Sequence, residues 1–150
     1  MTQAGDASAP PSEAILLGRI AAGAVPYWVS LGIEVDHAPA PGHVFLRLAM
    51  REGLGTRRHE IMHGGAVASL IDAAAGGAII SQFGDDEDYA GQATLDLNVT
   101  FLNAATTDVI AEARLLRHSR TLAFTQVDVR TGDGGLVATG RATFSIIRKR

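Results

Sequence analysis

The feature that most constrains this chain is a twenty-residue apolar segment, Gly64–Phe83, that contains a single acid, Asp72. The segment has no proline, few β-branched residues and many alanines, so it predicts one long α-helix. Its length also suggests a membrane span, but a carboxylate near the middle of a bilayer costs about 2.5–3.5 kcal/mol. We therefore expect a buried helix and no membrane partner.

The second half of the chain has the alternating pattern of β-strands. In Thr94–Phe101 four polar residues alternate with four apolar ones, which predicts a strand with one buried face. Further strands are predicted over 32–37, 43–50, 109–116, 122–130 and 136–147. Near the N-terminus, Ser12 is expected to cap a short helix that ends at Ala22.

These elements predict an α+β fold. No helix connects the last four strands, so the sheet should be antiparallel, with the single long helix covering one face. The compact solution is a sheet bent around that helix. We expect residues 1–12, rich in Ala, Ser and Pro, to be a flexible lead-in and residues 13–150 to form one domain.

The composition excludes several classes of function. A net charge of −3 without a basic block does not indicate a nucleic-acid surface. The absence of cysteine excludes disulfide scaffolds, thiolate metal sites and cysteine nucleophiles, and it fits a cytoplasmic protein. The five histidines show no metal-ligand spacing, and no phosphate-binding loop, dinucleotide fingerprint or serine elbow is present.

Two parts of the long helix carry groups suited to catalysis or ligand binding. The glycines after His63 place backbone N–H groups at the positive end of the helix, which suits an anion or a polarised carbonyl oxygen. Asp72 is a carboxylate among aliphatic neighbours, where desolvation favours basicity. Each also has a structural explanation: a tight turn for the glycines, and a surface or helix-packing position for the acid.

His63 and Asp72 are nine residues apart, which places them about 13 Å apart along the helix and on opposite sides of it. They cannot meet at one reaction centre within one chain. A two-fold dimer would solve this, because the start of one subunit's helix could face Asp72 of the other.

The combination of His63-Gly64-Gly65 with Asp72 resembles the hotdog-fold acyl-CoA thioesterases of the phenylacetic-acid-degradation (PaaI-like) type. The likeness continues through TLDLNVTFLNAA (94–105), RTLAFTQVDV (120–129) and GLVATGRATF (135–144), and it covers roughly residues 30–147 in one order. It implies the hotdog fold, an antiparallel sheet wrapped around one long helix, and assembly into dimers or dimers of dimers.

The resemblance also implies roles for single residues. Asp72 would activate water or attack the thioester carbon, and the Gly64 N–H of the opposite subunit would polarise the thioester carbonyl. His63 would shape the turn and Gly65 would approach the substrate. Thr94 would orient the nucleophile, while the acyl group would enter the apolar space beside the helix.

The segment Arg117-His118-Ser119-Arg120 lies where relatives contact the coenzyme A nucleotide. Arg57 and Glu60, also expected to approach the substrate, stand where many relatives carry an Asn or Gln and a Gly. The implied reaction needs no cofactor beyond the coenzyme A of the substrate, and no metal. The alternatives are a non-catalytic acyl-CoA-binding module and a hotdog hydratase or dehydratase.

Overall fold

The computed structural model describes residues 8–23 and 25–150. In chain order its elements are α1 (Glu13–Ala22), α2 (Pro26–Leu31), β1 (Ile33–Ala40), β2 (His43–Leu48), a 3-10 turn (Glu52–Leu54), α3 (Gly64–Phe83), β3 (Tyr89–Phe101), β4 (Val109–His118), β5 (Leu122–Thr131) and β6 (Leu136–Arg148). Residues 1–7, most of the expected lead-in, lie outside the described residues, so the division into lead-in and domain stays a prediction.

The six strands form one antiparallel sheet in the order β1-β2-β4-β5-β6-β3, so β1 and β3 are its edges. Helix α3 packs against all six strands along its length, with α1 beside it. This arrangement confirms the hotdog fold expected from the sequence. It places the edge strand β3 next to the central helix, and the candidate site lies between these two elements.

Helix α3 has the bounds that the sequence predicts, and fourteen of its twenty residues are buried. The small residues of the segment allow close contact with the sheet. At Gly140 on β6, for example, a Cβ atom would lie 2.9 Å from Ile71 of the helix. Although α3 is long and apolar enough to span a membrane, 78% of its most apolar window is buried in the fold, so it is a core helix.

The N-terminal third differs from the prediction. Strand β1 extends to Ala40, beyond the expected end at residue 37, and β2 ends two residues earlier than expected. Helix α2 was not predicted, although its limits have recognisable signals. Pro26 occupies a first-turn position, and Gly32 ends the helix in a left-handed conformation with φ of 81°.

Strand β3 also differs, because it begins at Tyr89 rather than at Thr94. The prediction of a buried apolar face was wrong for the single chain: Leu95 is 60% exposed, Leu97 38% and Phe101 54%. A long edge strand with exposed apolar side chains and an unpaired backbone edge is suited to pairing with another strand.

Candidate active site

Asp72 lies on a stripe of α3 that its own chain leaves partly uncovered, together with Gly65, Ala68 and Ser69. A residue of the sheet holds its carboxylate in place: Thr94 Oγ1 on β3 donates a 2.8 Å hydrogen bond to Asp72 Oδ1. The structure therefore brings together two of the four residues expected to be catalytic. The bond leaves further acceptor positions on the carboxylate for water or another donor.

A β-bulge turns Thr94 toward the helix. Thr94 pairs with Phe144 of β6, whereas Asp96 pairs with the next residue, Thr143, so Leu95 is the extra residue between them. Phe144 is a buried residue on the helix side of the sheet, and Thr94 shares that side. The alternation in the sequence predicts that Thr94 lies on the polar face of the strand with Asp96, and the bulge places it on the opposite face.

His63 caps the N-terminus of α3. Its Nδ1 accepts a 2.8 Å hydrogen bond from the Gly65 N–H, so a neutral ring in this position carries its proton on Nε2. A Cβ atom at Gly65 would lie 2.9 Å from that Nδ1, which explains why glycine follows the cap. This bond uses the Gly65 N–H, so that group is not available to a substrate while the cap is in place.

Gly64 is the remaining glycine of the turn. Across residues 8–23 and 25–150, its N–H has no hydrogen-bond acceptor, as expected for the first turn of a helix. Phe101, at the end of β3, lies beside it, since a Cβ atom at Gly64 would be 3.3 Å from the ring. Gly64 and Asp72 belong to the same straight run of helix, about 12 Å apart, so one chain does not bring them together.

A cavity of about 560 Å³ opens beside Asp72 and Thr94. Trp28 of α2, Ile80 of α3 and Phe144 of β6 supply apolar walls, while Gln92 and Tyr89 of β3 supply polar groups. None of these five residues was singled out from the sequence. Gln92 had a recoverable signal, because it lies two residues before Thr94 and therefore on the same face of a strand.

The four residues expected to bind the nucleotide lie at the end of β4 and in the turn to β5, near the C-terminal end of α3. His118 packs edge-on against Phe83 of that helix, with ring centres 4.8 Å apart. Ser119 Oγ accepts hydrogen bonds from the backbone of the turn. Arg120 forms a 2.8 Å ion pair with Asp88, and Arg117 is exposed.

Arg57 and Glu60 lie in the loop before α3, and both are exposed. Neither lines the cavity beside Asp72, so their approach to a substrate stays a prediction. In the described part of the chain no group of three His, Asp or Glu side chains is arranged to hold a metal ion. The expectation of a reaction without metal or cofactor stays a prediction as well.

Comparison with known proteins identifies the family. The model of the "Thioesterase superfamily" matches residues 59–138, which include the helix, Asp72 and Thr94. This chain belongs to the thioesterase superfamily. Human "Acyl-coenzyme A thioesterase 13" is 32% identical over 111 residues, covering 69% of this chain and 73% of the human protein.

Solved structures agree with this assignment. A thioesterase family protein from Silicibacter pomeroyi superposes with a TM-score of 0.78 at 26% identity, covering 89% of this chain and 98% of that one. The PaaI protein of the E. coli phenylacetic acid degradation operon has a TM-score of 0.75 at 17% identity, covering 88% and 96%, and shows the shared fold. The expected resemblance and the expected class of enzyme, a thioester hydrolase, are confirmed.

Proposed function

We propose that this thioesterase hydrolyses an acyl-CoA to a free acid and coenzyme A at a site shared between two subunits. The observation that carries the proposal is the Thr94–Asp72 hydrogen bond beside the cavity, on a partly uncovered stripe of the central helix. The name of the human relative, an acyl-coenzyme A thioesterase, supports the choice of substrate class.

The need for a second subunit follows from the position of β3 along α3. The strand runs antiparallel to the helix: Gln92 contacts Gly76, Thr94 contacts Asp72, and Phe101 lies beside Gly64. Thr94 thus lies beside the Asp72 carboxylate, and Phe101, at the other end of the strand, lies beside the free Gly64 N–H. Antiparallel pairing of two β3 strands would place Thr94 and Asp72 of each subunit opposite Phe101 and Gly64 of the other.

This requirement defines a register for the dimer. Leu95, the extra residue of the bulge, has no counterpart on the facing strand, so Thr94 of one subunit faces Phe101 of its partner when the two-fold axis passes at Asn98. Leu97 and Phe101 pair with Ala142 and Ala138 on the helix side of the sheet, yet both remain exposed in the single chain. A partner's helix would cover them. Assembly of such dimers into a dimer of dimers is expected from the family resemblance alone.

In the dimer, each residue has a defined part in the reaction. The partner subunit's Gly64 donates its N–H to the thioester oxygen, where negative charge develops, and the helix terminus adds its positive potential. Asp72 takes a proton from water as the water oxygen attacks the thioester carbon. The carbon–sulfur bond then breaks, and the thiolate of coenzyme A leaves and takes up a proton.

Asp72 could instead attack the thioester carbon itself, which gives an acid anhydride that water then hydrolyses to the same products. In both routes Thr94 orients the carboxylate, and His63 holds the turn that exposes the Gly64 N–H. The cavity walled by Trp28 and Phe144 receives the acyl group.

The coenzyme A nucleotide would lie near the turn between β4 and β5. Arg117 is exposed there, and the Arg120 guanidinium can exchange its exposed ion pair with Asp88 for phosphate oxygens. His118 of this turn packs against Phe83, which is eleven residues beyond Asp72 on α3. The pantetheine arm would therefore have to span about 17 Å along the helix.

The substitution Asp72→Asn tests the proposal. Thiol release from a panel of aryl- and alkyl-acyl-CoAs should fall by about 10²- to 10⁴-fold, because the amide cannot act as base or nucleophile. Glu87→Gln, which removes an exposed carboxylate from the turn after α3, is the matched control and should keep full activity. Calorimetric binding of acyl-CoA by the unmodified protein without thiol release would instead identify a binding module.

A further inference from the structure

We infer that Gln92 determines acyl-group specificity by placing polar atoms in the wall of the cavity one helical turn beyond Asp72. The inference rests on the proposed function and goes beyond it, because it predicts which acyl groups the site accepts. Those groups either end before they reach Gln92 or place a hydrogen-bonding atom against it. Acyl groups that present hydrocarbon there are selected against.

Gln92 faces the site from the same side of β3 as Thr94. It pairs with Ile146 of β6, as Thr94 pairs with Phe144, and both partners are buried on the helix side of the sheet. Gln92 Nε2 donates a 3.0 Å hydrogen bond to the carbonyl oxygen of Gly76. Gly76 is four residues beyond Asp72, so the amide lies about 6 Å, one helical turn, farther along α3.

The amide is fixed at both ends. While Nε2 donates to Gly76, Oε1 accepts a 2.9 Å hydrogen bond from the Tyr89 hydroxyl. Burial raises the pKa of Tyr89, so this hydroxyl remains a proton donor at neutral pH. The two bonds leave one N–H and one lone pair of the amide without an assigned use. These are the groups that a substrate would meet.

The surroundings of Gln92 make this polar part of the cavity wall distinct. Trp28, Ile80 and Phe144 line the cavity and would accept hydrocarbon. The absence of a side chain at Gly76 leaves room for the amide, because a Cβ atom there would lie 2.9 Å from Gln92 Nε2 and displace it. A saturated chain that reached the amide would remove water from it without replacing the hydrogen bonds of that water, which is unfavourable.

The test is a series of saturated straight-chain acyl-CoAs from acetyl to palmitoyl, assayed for kcat/KM. With the wild-type protein, kcat/KM should fall roughly ten- to hundredfold once the chain reaches Gln92. Gln92→Met keeps the length of the side chain and removes its hydrogen bonds, so it should restore the longer chains and leave the shortest unchanged. Gln126→Met, the same change on the outer face of β5, is the control and should keep the wild-type profile.

An unchanged chain-length profile in Gln92→Met, or an equal loss at every length, overturns the inference and leaves the thioesterase proposal standing. Absence of thiol release from every acyl-CoA with the wild-type protein contradicts the proposed function instead. If circular dichroism shows that Gln92→Met does not fold, Tyr89→Phe replaces it. That variant removes one anchor of the amide and should shift the profile in the same direction by a smaller factor; an unchanged profile overturns the inference.

Discussion

Thr94 Oγ1 donates a 2.8 Å hydrogen bond to Asp72 Oδ1, which ties an edge strand to the middle of the central helix. The contact depends on the bulge at Leu95, because without it Thr94 would face away from the helix. The acid therefore has a fixed orientation beside a cavity, rather than a position on an unpartnered helix surface.

Replacement of the Thr94 hydroxyl should lower turnover. Thr94→Val keeps the shape of the side chain and removes the donor, so kcat should fall about ten- to hundredfold, the range for a hydrogen bond to a charged group. Thr94→Ser keeps the hydroxyl and should retain most of the activity. Turnover of Thr94→Val equal to that of the wild type would show that the bond does not position Asp72 for the reaction.

The role of the Gly64 N–H can be separated from the role of its missing side chain. Proline suits the first position of a helix and has no N–H, and His63 before it already has the extended conformation that proline requires, with ψ of 137°. Gly64→Pro should therefore keep the helix and lower kcat about 10²- to 10³-fold.

Gly64→Ala is the matched control, because it places a Cβ atom 3.3 Å from the Phe101 ring and keeps the N–H. It should retain most of the activity if Phe101 moves by a few tenths of an ångström. Equal losses in the two variants would assign the effect to crowding at Phe101 rather than to the missing donor.

His43 on β2 should make the fold sensitive to mild acid. Burial and the nearby Arg114 charge lower the pKa of His43, and together they outweigh Glu112, whose carboxylate lies 3.7 Å from Nε2. The unfolded chain binds a proton below about pH 6.5 more readily than the folded one, so the free energy of unfolding should decrease as the pH falls through that value.

Urea unfolding at pH 7 and at pH 5.5 measures this effect. His43→Gln should lose less of its free energy of unfolding between the two pH values than the wild type, whatever its stability at pH 7. Equal decreases in the two proteins would assign the acid sensitivity to other groups.

The sequence predicts the parts of this fold that depend on long, regular patterns. Helix α3 has the expected bounds because an alanine-rich segment without proline has no competing local structure. The pairing of Asp72 with Thr94 was expected from the family resemblance. Helix α2 was missed because six residues give no periodicity, although Pro26 and Gly32 mark its limits.

The environment of β3 could not be predicted from its own residues. The alternation over 94–101 is regular, so nothing in it indicates a bulge at Leu95 or an exposed apolar face. Both depend on tertiary structure: the bulge on the register with β6, and the exposure on the position of β3 at the edge of the sheet. Tyr89 was missed for a related reason, because a register shift between Tyr89 and Gly91 breaks the alternation, whereas Gln92, two residues before Thr94, had a signal that the prediction did not use.

The central claim, that each site takes Asp72 from one subunit and the Gly64 N–H from the other, is tested most directly by mixing two inactive variants. Asp72→Asn and Gly64→Pro, carrying different affinity tags, are coexpressed and their mixed dimers are purified through both tags. Each mixed dimer should contain one intact site and one doubly defective site, so its activity should recover to about half that of the wild-type dimer. Mixed dimers as inactive as either parent would contradict the shared site.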